Sequence, residues 1–175
     1  MKLTCLLFCL PSLCHAVSSL TDSEARYVIS SLLEDILMKE PDVERLSKLL
    51  IFPFVTTKCE EGRIEHTPEQ MIAKLVERRQ VVKQQKPDVK DLDDEHEQRH
   101  ADMRKKIADK SREGAVEFDN VDMARIERFF ATIETDGFNF KAIMNMGGKR
   151  GQFNVELKGD NFYLKSDDKL DCPKR

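Results

Sequence analysis

Hydrophobic and polar residues alternate along residues 138–165, close to the end of the chain. A repeat of two residues is typical of strands with one buried face. Gly147, Gly148 and Gly151 interrupt the first run, and Gly159-Asp160-Asn161 supplies a tight turn, because glycine and asparagine accept positive φ angles at little steric cost. The pattern predicts three antiparallel strands with a shared inward face. The inward residues expected to line a pocket or to fill a core are Phe138, Phe140, Met144, Met146, Phe153, Val155 and Leu157.

Helical periodicity dominates the chain between residues 21 and 50. Thr21 and Glu24 have the spacing of a capping box, in which each side chain satisfies a backbone N–H of the first turn. One face of the predicted helix carries the apolar residues Ala25, Val28, Ile29, Leu32, Leu33, Ile36 and Leu37. Pro41 ends this helix, and a shorter one begins at Asp42. The apolar side of the shorter helix consists of Val43, Leu46, Leu49 and Leu50. We expect the first helix to cover the sheet rather than to bind a membrane or a partner helix.

Residues 52–85 predict a hairpin followed by a third helix. Phe52-Pro53-Phe54 predicts a turn, 54–59 a strand, and Glu61-Gly62 a turn back into a second strand. Thr67 has the position of an N-cap, with proline directly after it, and the helix is expected to end near Gln85. Its apolar face consists of Met71, Ile72, Leu75, Val76 and Val82.

Residues 123–135 fit either a strand or a helix. Phe129, Ala131 and Ile133 alternate as in a strand, whereas a helical spacing can be traced from Ile126. We favour a strand because the segment is rich in aromatic residues and a short link joins it to the next strand.

Residues 1–16 have the composition of a secretory signal peptide. Lys2 gives a positive start, Leu3 to Leu13 is largely apolar, and Cys14-His15-Ala16 provides small residues where a signal peptidase cleaves. The apolar run is too short to span a bilayer, and no later segment is long enough to do so. A buried N-terminal helix is the alternative. The prediction is a secreted protein in which residues 17–175 form a single domain.

Two cysteines, Cys59 and Cys172, remain once the predicted signal peptide is removed. In an oxidising compartment, two cysteines most simply form one disulfide bond. Two free thiols and an intermolecular bridge are the alternatives. Neither cysteine has a second ligand nearby at the spacing of a structural zinc site.

The charge balance argues against a general nucleic-acid-binding protein. The formal net charge is −3, and the chain has no basic stripe of the kind that contacts phosphates. The sequence also lacks a glycine-rich phosphate-binding loop, so we expect no cofactor. The partners that fit are an apolar small molecule or another protein, and the sequence leaves the oligomeric state open.

A highly charged segment, residues 86–113, contains the sequence His96-Glu97-Gln98-Arg99-His100. On a helix, histidines four residues apart share one face and can hold a zinc ion, while Glu97 can activate the bound water. A zinc-protease helix is buried among apolar residues, whereas charged residues surround this motif. We therefore interpret the segment as a charged insertion that forms a solvated amphipathic helix or a mobile stretch, and we expect no metal. Its weak apolar face consists of Leu92, His96, His100, Met103 and Ile107.

The predicted order of helix, helix, strand with turn, helix and antiparallel strands resembles the nuclear transport factor 2-like fold. A narrower resemblance is to the small secreted proteins of this type from nematodes. The segments that carry it are residues 54–62, which contain Cys59, the helix that begins at Thr67, and the tail 162–173, which contains Cys172. The resemblance implies an α+β fold in which a curved antiparallel sheet packs against N-terminal helices to form a cone. The charged insertion at 86–113 departs from that pattern.

Proteins with this resemblance include both enzymes and binding modules, so the fold does not decide the function. The enzymes use carboxylate and tyrosine pairs that point into the cone, whereas Tyr27 and Tyr163 are the only tyrosines here. The prediction is therefore a secreted, non-catalytic module that binds a small apolar ligand or a protein. The alternatives are a small zinc hydrolase that uses His96, Glu97 and His100, and a cone-type isomerase or hydrolase with unrecognised pocket acids.

Overall fold

The computed structural model describes residues 20–85, 91–109, 130–136, 139–146 and 149–172. The helices in these ranges are α1 (Asp22–Met38), α2 (Val43–Leu49), α3 (Pro68–Gln85) and α4 (Asp94–Asp109). The strands are β1 (Leu50–Lys58), β2 (Gly62–His66), β3 (Phe130–Asp136), β4 (Asn139–Met146), β5 (Lys149–Lys158) and β6 (Asn161–Lys169). The predicted signal peptide, residues 1–16, lies outside the described residues.

The six strands form one sheet in the order β2-β1-β6-β5-β4-β3. Four of the strands, β3 to β6, are consecutive antiparallel neighbours. β1 pairs with β2 in an antiparallel hairpin but runs parallel to β6. The sheet is therefore mixed, and the all-antiparallel prediction is wrong at this one pair. The parallel pair arises because the chain enters β1 directly from α2, at the edge where β6 also begins.

The predicted α+β class, with helices packed against the sheet, is confirmed. α1 contacts β3, β4 and β6, and its apolar stripe is buried in the core. The capping box is present, since the Thr21 N–H donates to Glu24 Oε2 at 2.7 Å and the Glu24 N–H donates to Thr21 Oγ1 at 3.3 Å. At the other end, the buried guanidinium of Arg45 donates to carbonyls of Lys39 and Glu40 and so satisfies the end of α1. None of the helices in the described ranges is both long and apolar enough to cross a membrane.

Strand boundaries differ from the sequence prediction at two places. Phe52-Pro53-Phe54 lies within β1 rather than in a turn, and β1 begins at Leu50 immediately after α2. Gly151 lies within β5 rather than between strands, and it pairs with Lys169 of β6. Gly151 is held in β5 by pairing with both neighbouring strands, whereas Pro53 lies where the β1/β6 register is irregular, a position that accepts proline. The strand interpretation of residues 123–135 is confirmed for 130–136, and residues 123–129 lie outside the described part.

Side-chain burial confirms the alternation predicted for the last strands where it is described. Ala142, Phe153, Val155, Phe162 and Leu164 are all buried in the core. Among the helices, Val43 was predicted on the buried side of α2 but is 45% exposed. Its position directly after the N-cap Asp42 places it on the first turn, beyond the reach of the core.

The charged segment contains α4, which packs against α1 and β6. Ile107 is buried, and Met103 packs against the core from a half-buried position, as the weak apolar stripe predicts. Two polar residues on the same face, His100 and Arg104, are also buried. A helix with mostly charged residues is therefore held against α1 through polar contacts as well as apolar ones.

The predicted disulfide between Cys59 and Cys172 is present, with a Cα–Cα distance of 5.1 Å. Cys59 follows the end of β1, and Cys172 follows the end of β6. Parallel neighbouring strands end at the same edge of a sheet, so the β1/β6 pairing brings the two cysteines together.

Candidate functional site

A group of polar side chains lies between α1 and α4, and we call it the interhelix cluster. Its members are Tyr27, Ser31, Glu34 and Asp35 from α1, and His96, His100 and Arg104 from α4. On each helix the members recur every three or four residues, which places them on one face. The cluster therefore forms where the polar edge of the α1 stripe meets the histidine face of α4.

Asp35 is the centre of the interhelix cluster, and its side chain is fully buried. His100 Nδ1 lies 2.6 Å from Asp35 Oδ1, and Arg104 Nη1 donates to Asp35 Oδ2 at 2.7 Å. Arg104 also donates to Ser31 Oγ at 3.0 Å, and that hydroxyl donates in turn to the Val28 carbonyl. Because a carboxylate beside a guanidinium acts as an acceptor, the Nδ1 atom of His100 is the donor in its contact with Asp35.

The contact between His100 Nδ1 and Asp35 leaves Nε2, the other ring nitrogen of His100, facing Glu34. The Nε2 atom of His100 lies 3.6 Å from Glu34 Oε2, which is too long for a hydrogen bond. The ring of His96 lies beside that of His100, with centroids 4.4 Å apart. Glu34, His96 and His100 each offer one potential ligand atom, and these three atoms lie within 4.8 Å of one another. Tertiary packing thus adds a carboxylate from α1 to the two histidines of the motif.

Glu97, the glutamate of the same motif, is engaged elsewhere. Its Oε2 atom lies 2.6 Å from Lys39 Nζ, and Lys39 also contacts Asp94. The hydrogen bonds to Asp94 and Glu97 raise the pKa of Lys39, and the contact with Lys39 lowers the pKa of Asp94. Glu97 therefore belongs to an ion pair that joins the end of α1 to the start of α4, and this arrangement does not favour it as a catalytic base.

A second feature is a groove of about 140 Å³ between α1 and α3, partly open to solvent. Its lining residues are Leu37, Met38, Leu75, Arg78, Arg79, Val82, Lys83 and Asp91. The buried side chain of Arg79 pairs with Glu40 at 3.1 Å and with Asp91. Lys83 lies 3.8 Å from Asp91. Arg78 has no ion pair within 4 Å in the part of the chain that the structure describes. Burial raises the pKa of Asp167 on β6, and the charge of Arg78 acts against that rise, so Arg78 also lies near this carboxyl group. The groove therefore combines an apolar floor with a cation at its rim.

The strand residues predicted to line a pocket do not line this groove. Phe153 and Val155 are 7% and 1% exposed and belong to the core, and the half-buried Leu157 packs against the core. Phe140, Met144 and Met146 lie on β4, but their side chains are outside the described part, as is all of Phe138. A pocket role for these strand residues stays a prediction.

Sequence reasoning missed Glu34, Asp35 and Arg104 as members of a site. Glu34 and Asp35 follow the apolar pair Leu32-Leu33 and look like the solvated edge of an amphipathic helix. Arg104 lies one turn after His100, which in hindsight extends the histidine face. No local signal links these α1 carboxylates to α4, because the two helices are far apart in sequence.

No protein-family model and no curated protein matches this chain. Two solved structures are similar to it. One, named Rd1NTF2_04 with long sheet, is 14% identical, and the alignment covers 83% of this chain and 99% of that chain with a TM-score of 0.38. The other, an NTF-2 like protein of unknown function from Silicibacter pomeroyi, is 14% identical. The alignment covers 86% of this chain and 98% of that chain with a TM-score of 0.39.

At TM-scores below 0.5 these two likenesses carry no argument about function. The order of elements in the structure itself is two helices, a hairpin, further helices and a final antiparallel run of strands. The described elements follow the order predicted from the sequence, and the chain has an α+β fold.

Proposed function

We propose that this chain is a secreted, non-catalytic module that binds a small apolar anion in the groove between α1 and α3. The observation that carries the proposal is the combination of an apolar floor, formed by Leu37, Leu75 and Val82, with the cation of Arg78 at the rim. Ligand sites are mostly apolar with a few placed polar groups, and this groove has that composition.

The size of the groove limits the ligand. A volume of about 140 Å³ is below the roughly 300–1,000 Å³ of sites for drug-sized molecules. It corresponds to the space of about five water molecules in the liquid. A short-chain carboxylate is of this size, and a longer chain would extend out of the partly open groove.

Secretion is supported by two separate features of the chain. Residues 1–16 have the pattern of a cleaved signal peptide. The Cys59–Cys172 bond is of the kind that forms and persists in oxidising compartments. Together these two features support a binding function outside the cell.

The proposal is tested with hexanoate as the probe and the disulfide-bonded protein, produced by secretion so that any signal peptide is processed. Titration is followed through the amide shifts of α1 and α3 by nuclear magnetic resonance. Hexanoate is expected to bind saturably and more tightly than hexanol, which lacks the charge, and than acetate, which lacks the apolar chain.

Two variants and one control locate the binding. Val82→Trp is expected to fill the groove and abolish binding, and Arg78→Gln is expected to reduce the preference for hexanoate over hexanol. Arg63→Gln removes an exposed arginine from β2, away from the groove, and is expected to leave binding unchanged. Absence of saturable binding, or equal losses in Arg63→Gln and Arg78→Gln, would show that the proposal is wrong.

A further inference from the structure

We propose that Glu34, His96 and His100 together bind one Zn²⁺ ion between α1 and α4. This site is separate from the α1–α3 groove and does not depend on the ligand proposed there. The proposal starts from the proximity of three potential ligand atoms within 4.8 Å of one another.

The distances suit a shared metal ion. In a tetrahedral zinc site with bonds of about 2.0–2.1 Å, neighbouring ligand atoms lie about 3.3–3.4 Å apart. His100 Nε2 and Glu34 Oε2 lie 3.6 Å apart, beyond hydrogen-bond distance but close to that spacing. His96 comes from the same helix face as His100, and its potential ligand atom lies within 4.8 Å of those of Glu34 and His100.

Asp35 prepares His100 for this role. Ligating histidines almost always donate their second ring N–H to a carboxylate or carbonyl, which fixes the tautomer and the ring orientation. The 2.6 Å contact between His100 Nδ1 and Asp35 does this and leaves Nε2 as the ligand atom. Arg104, which also donates to Ser31, donates to the second oxygen of Asp35 and so fixes the orientation of the carboxylate. Asp35 is therefore a positioning residue rather than a ligand.

The donor set selects the class of metal. Two imidazoles and one carboxylate are typical of zinc sites, whereas Mg²⁺ and Ca²⁺ prefer sites built from oxygen ligands alone. The Glu34 side chain is 26% exposed, whereas its Oε2 atom is buried.

The site holds a metal without the rest of the hydrolase machinery. Glu97, which the sequence motif would use to activate a metal-bound water, pairs with Lys39 at 2.6 Å. The inferred role is therefore metal binding that joins two helices, and not peptide hydrolysis.

The experiment uses tag-free protein purified with its disulfide intact, stripped with a chelator and then dialysed against Zn²⁺. Metal content is measured by atomic emission, and affinity is measured by competition with a chromogenic chelator. Co²⁺ is used as a spectroscopic probe, because a four-coordinate or five-coordinate site gives much stronger visible absorption than hydrated Co²⁺. Mg²⁺ serves as the metal that the site is expected to ignore.

Glu34→Gln and His96→Gln are the test variants, chosen because both side chains are partly exposed and their loss leaves the core intact. His66→Gln is the matched control, since His66 lies on β2 outside the interhelix cluster. Glu44→Gln, on the exposed face of α2, is the control for loss of a carboxylate. Thermal unfolding of each variant in the presence of chelator establishes that it is folded.

The expected result is one Zn²⁺ per wild-type chain and a Co²⁺ spectrum of low coordination number. Loss of a residue that only hydrogen-bonds to a metal ligand weakens metal binding by roughly 10–100-fold. Each test variant removes a ligand itself and is therefore expected to weaken Zn²⁺ binding by more than that. Both controls should bind as the wild type does. No zinc binding by the wild-type protein, or zinc binding that survives Glu34→Gln and His96→Gln, would overturn the proposal and leave the interhelix cluster as an ion-pair network.

Discussion

His100 Nδ1 lies 2.6 Å from Asp35 Oδ1, although the two residues are 65 positions apart in the chain. Both side chains are almost completely excluded from solvent, and Arg104 occupies the second oxygen of the same carboxylate. This contact joins α4, a helix rich in exposed charge, to the central helix α1. The interhelix cluster therefore has a structural role whether or not a metal binds beside it.

Removing the charge of Asp35 is expected to destabilise the protein strongly. Asp35→Asn leaves the buried guanidinium of Arg104 without its counter-ion, and loss of one partner of a buried pair costs about 3–5 kcal/mol. The free energy of unfolding from urea titration measures the loss. Asp102→Asn, on the exposed side of α4, is the control and is expected to change the free energy of unfolding by less than about 0.5 kcal/mol. Similar values for the two variants would contradict a central role for Asp35.

The Cys59–Cys172 bond is expected to be a major source of stability. The two residues are separated by 113 positions, and cross-linking a loop of this size stabilises a chain by about 2–5 kcal/mol, mainly by restricting the unfolded state. The double variant Cys59→Ser, Cys172→Ser should lose that amount in urea unfolding. A reductant should bring the wild type to the stability of the variant and leave the variant unchanged. A wild type that reductant does not affect, despite loss of the bond by mass spectrometry, would contradict this expectation.

His66 is expected to make stability depend on pH in the mildly acidic range. Burial and the charges of Lys74 and Lys58 lower the pKa of His66 below its ordinary value. Its Nε2 atom lies 3.1 Å from Lys74 Nζ and 2.8 Å from Thr56 Oγ1. An ammonium group only donates, so Nε2 accepts and the imidazole is neutral in the folded protein.

The sign of the effect follows from the protons bound in each state. Between the lowered pKa and the ordinary value of about 6.5, the unfolded chain protonates His66 and the folded chain does not. The free energy of unfolding therefore rises with pH through this window and falls as the solution is acidified. In His66→Gln the free energy of unfolding should depend less on pH than in the wild type. The other histidines are present in both proteins, so their contributions cancel when the two pH dependences are subtracted. Parallel curves for the two proteins would show that His66 is not responsible.

The N-terminal cap of α1 is expected to contribute a modest, local stabilisation. Thr21 accepts from the Glu24 N–H, and replacing such a cap by alanine costs about 1 kcal/mol. Thr21→Ala should lower the free energy of unfolding by that amount, measured in urea. Thr21→Ser keeps the hydroxyl and should retain most of the stability. Equal losses in both variants would mean that the methyl group, and not the hydrogen bond, is what matters.

Much of the local structure could be predicted from residue patterns. The α1 stripe, the capping box at Thr21, the start of α2 next to Asp42, the hairpin turn before Gly62 and the end of α3 at Gln85 all lie where the sequence places them. Each depends on residues within a few positions of one another. Pro53 and Gly151 show where this reasoning stops, because Gly151 is held by strand pairing and Pro53 lies at an irregularity within β1.

The sequence by itself determined helices α1 to α3, the described strands apart from the bounds of β1 and β5, and the two cysteines available for a bond. The helices and strands follow from hydrophobic periodicity and capping residues, which involve residues close together in the chain. The cysteines follow from a count of that residue type. Only the tertiary structure decided the parallel pairing of β1 with β6 and the meeting of Glu34 and Asp35 with His96 and His100. A charged residue has the same local appearance whether it faces solvent or a helix far away in the chain, so its partners emerge only when the helices pack.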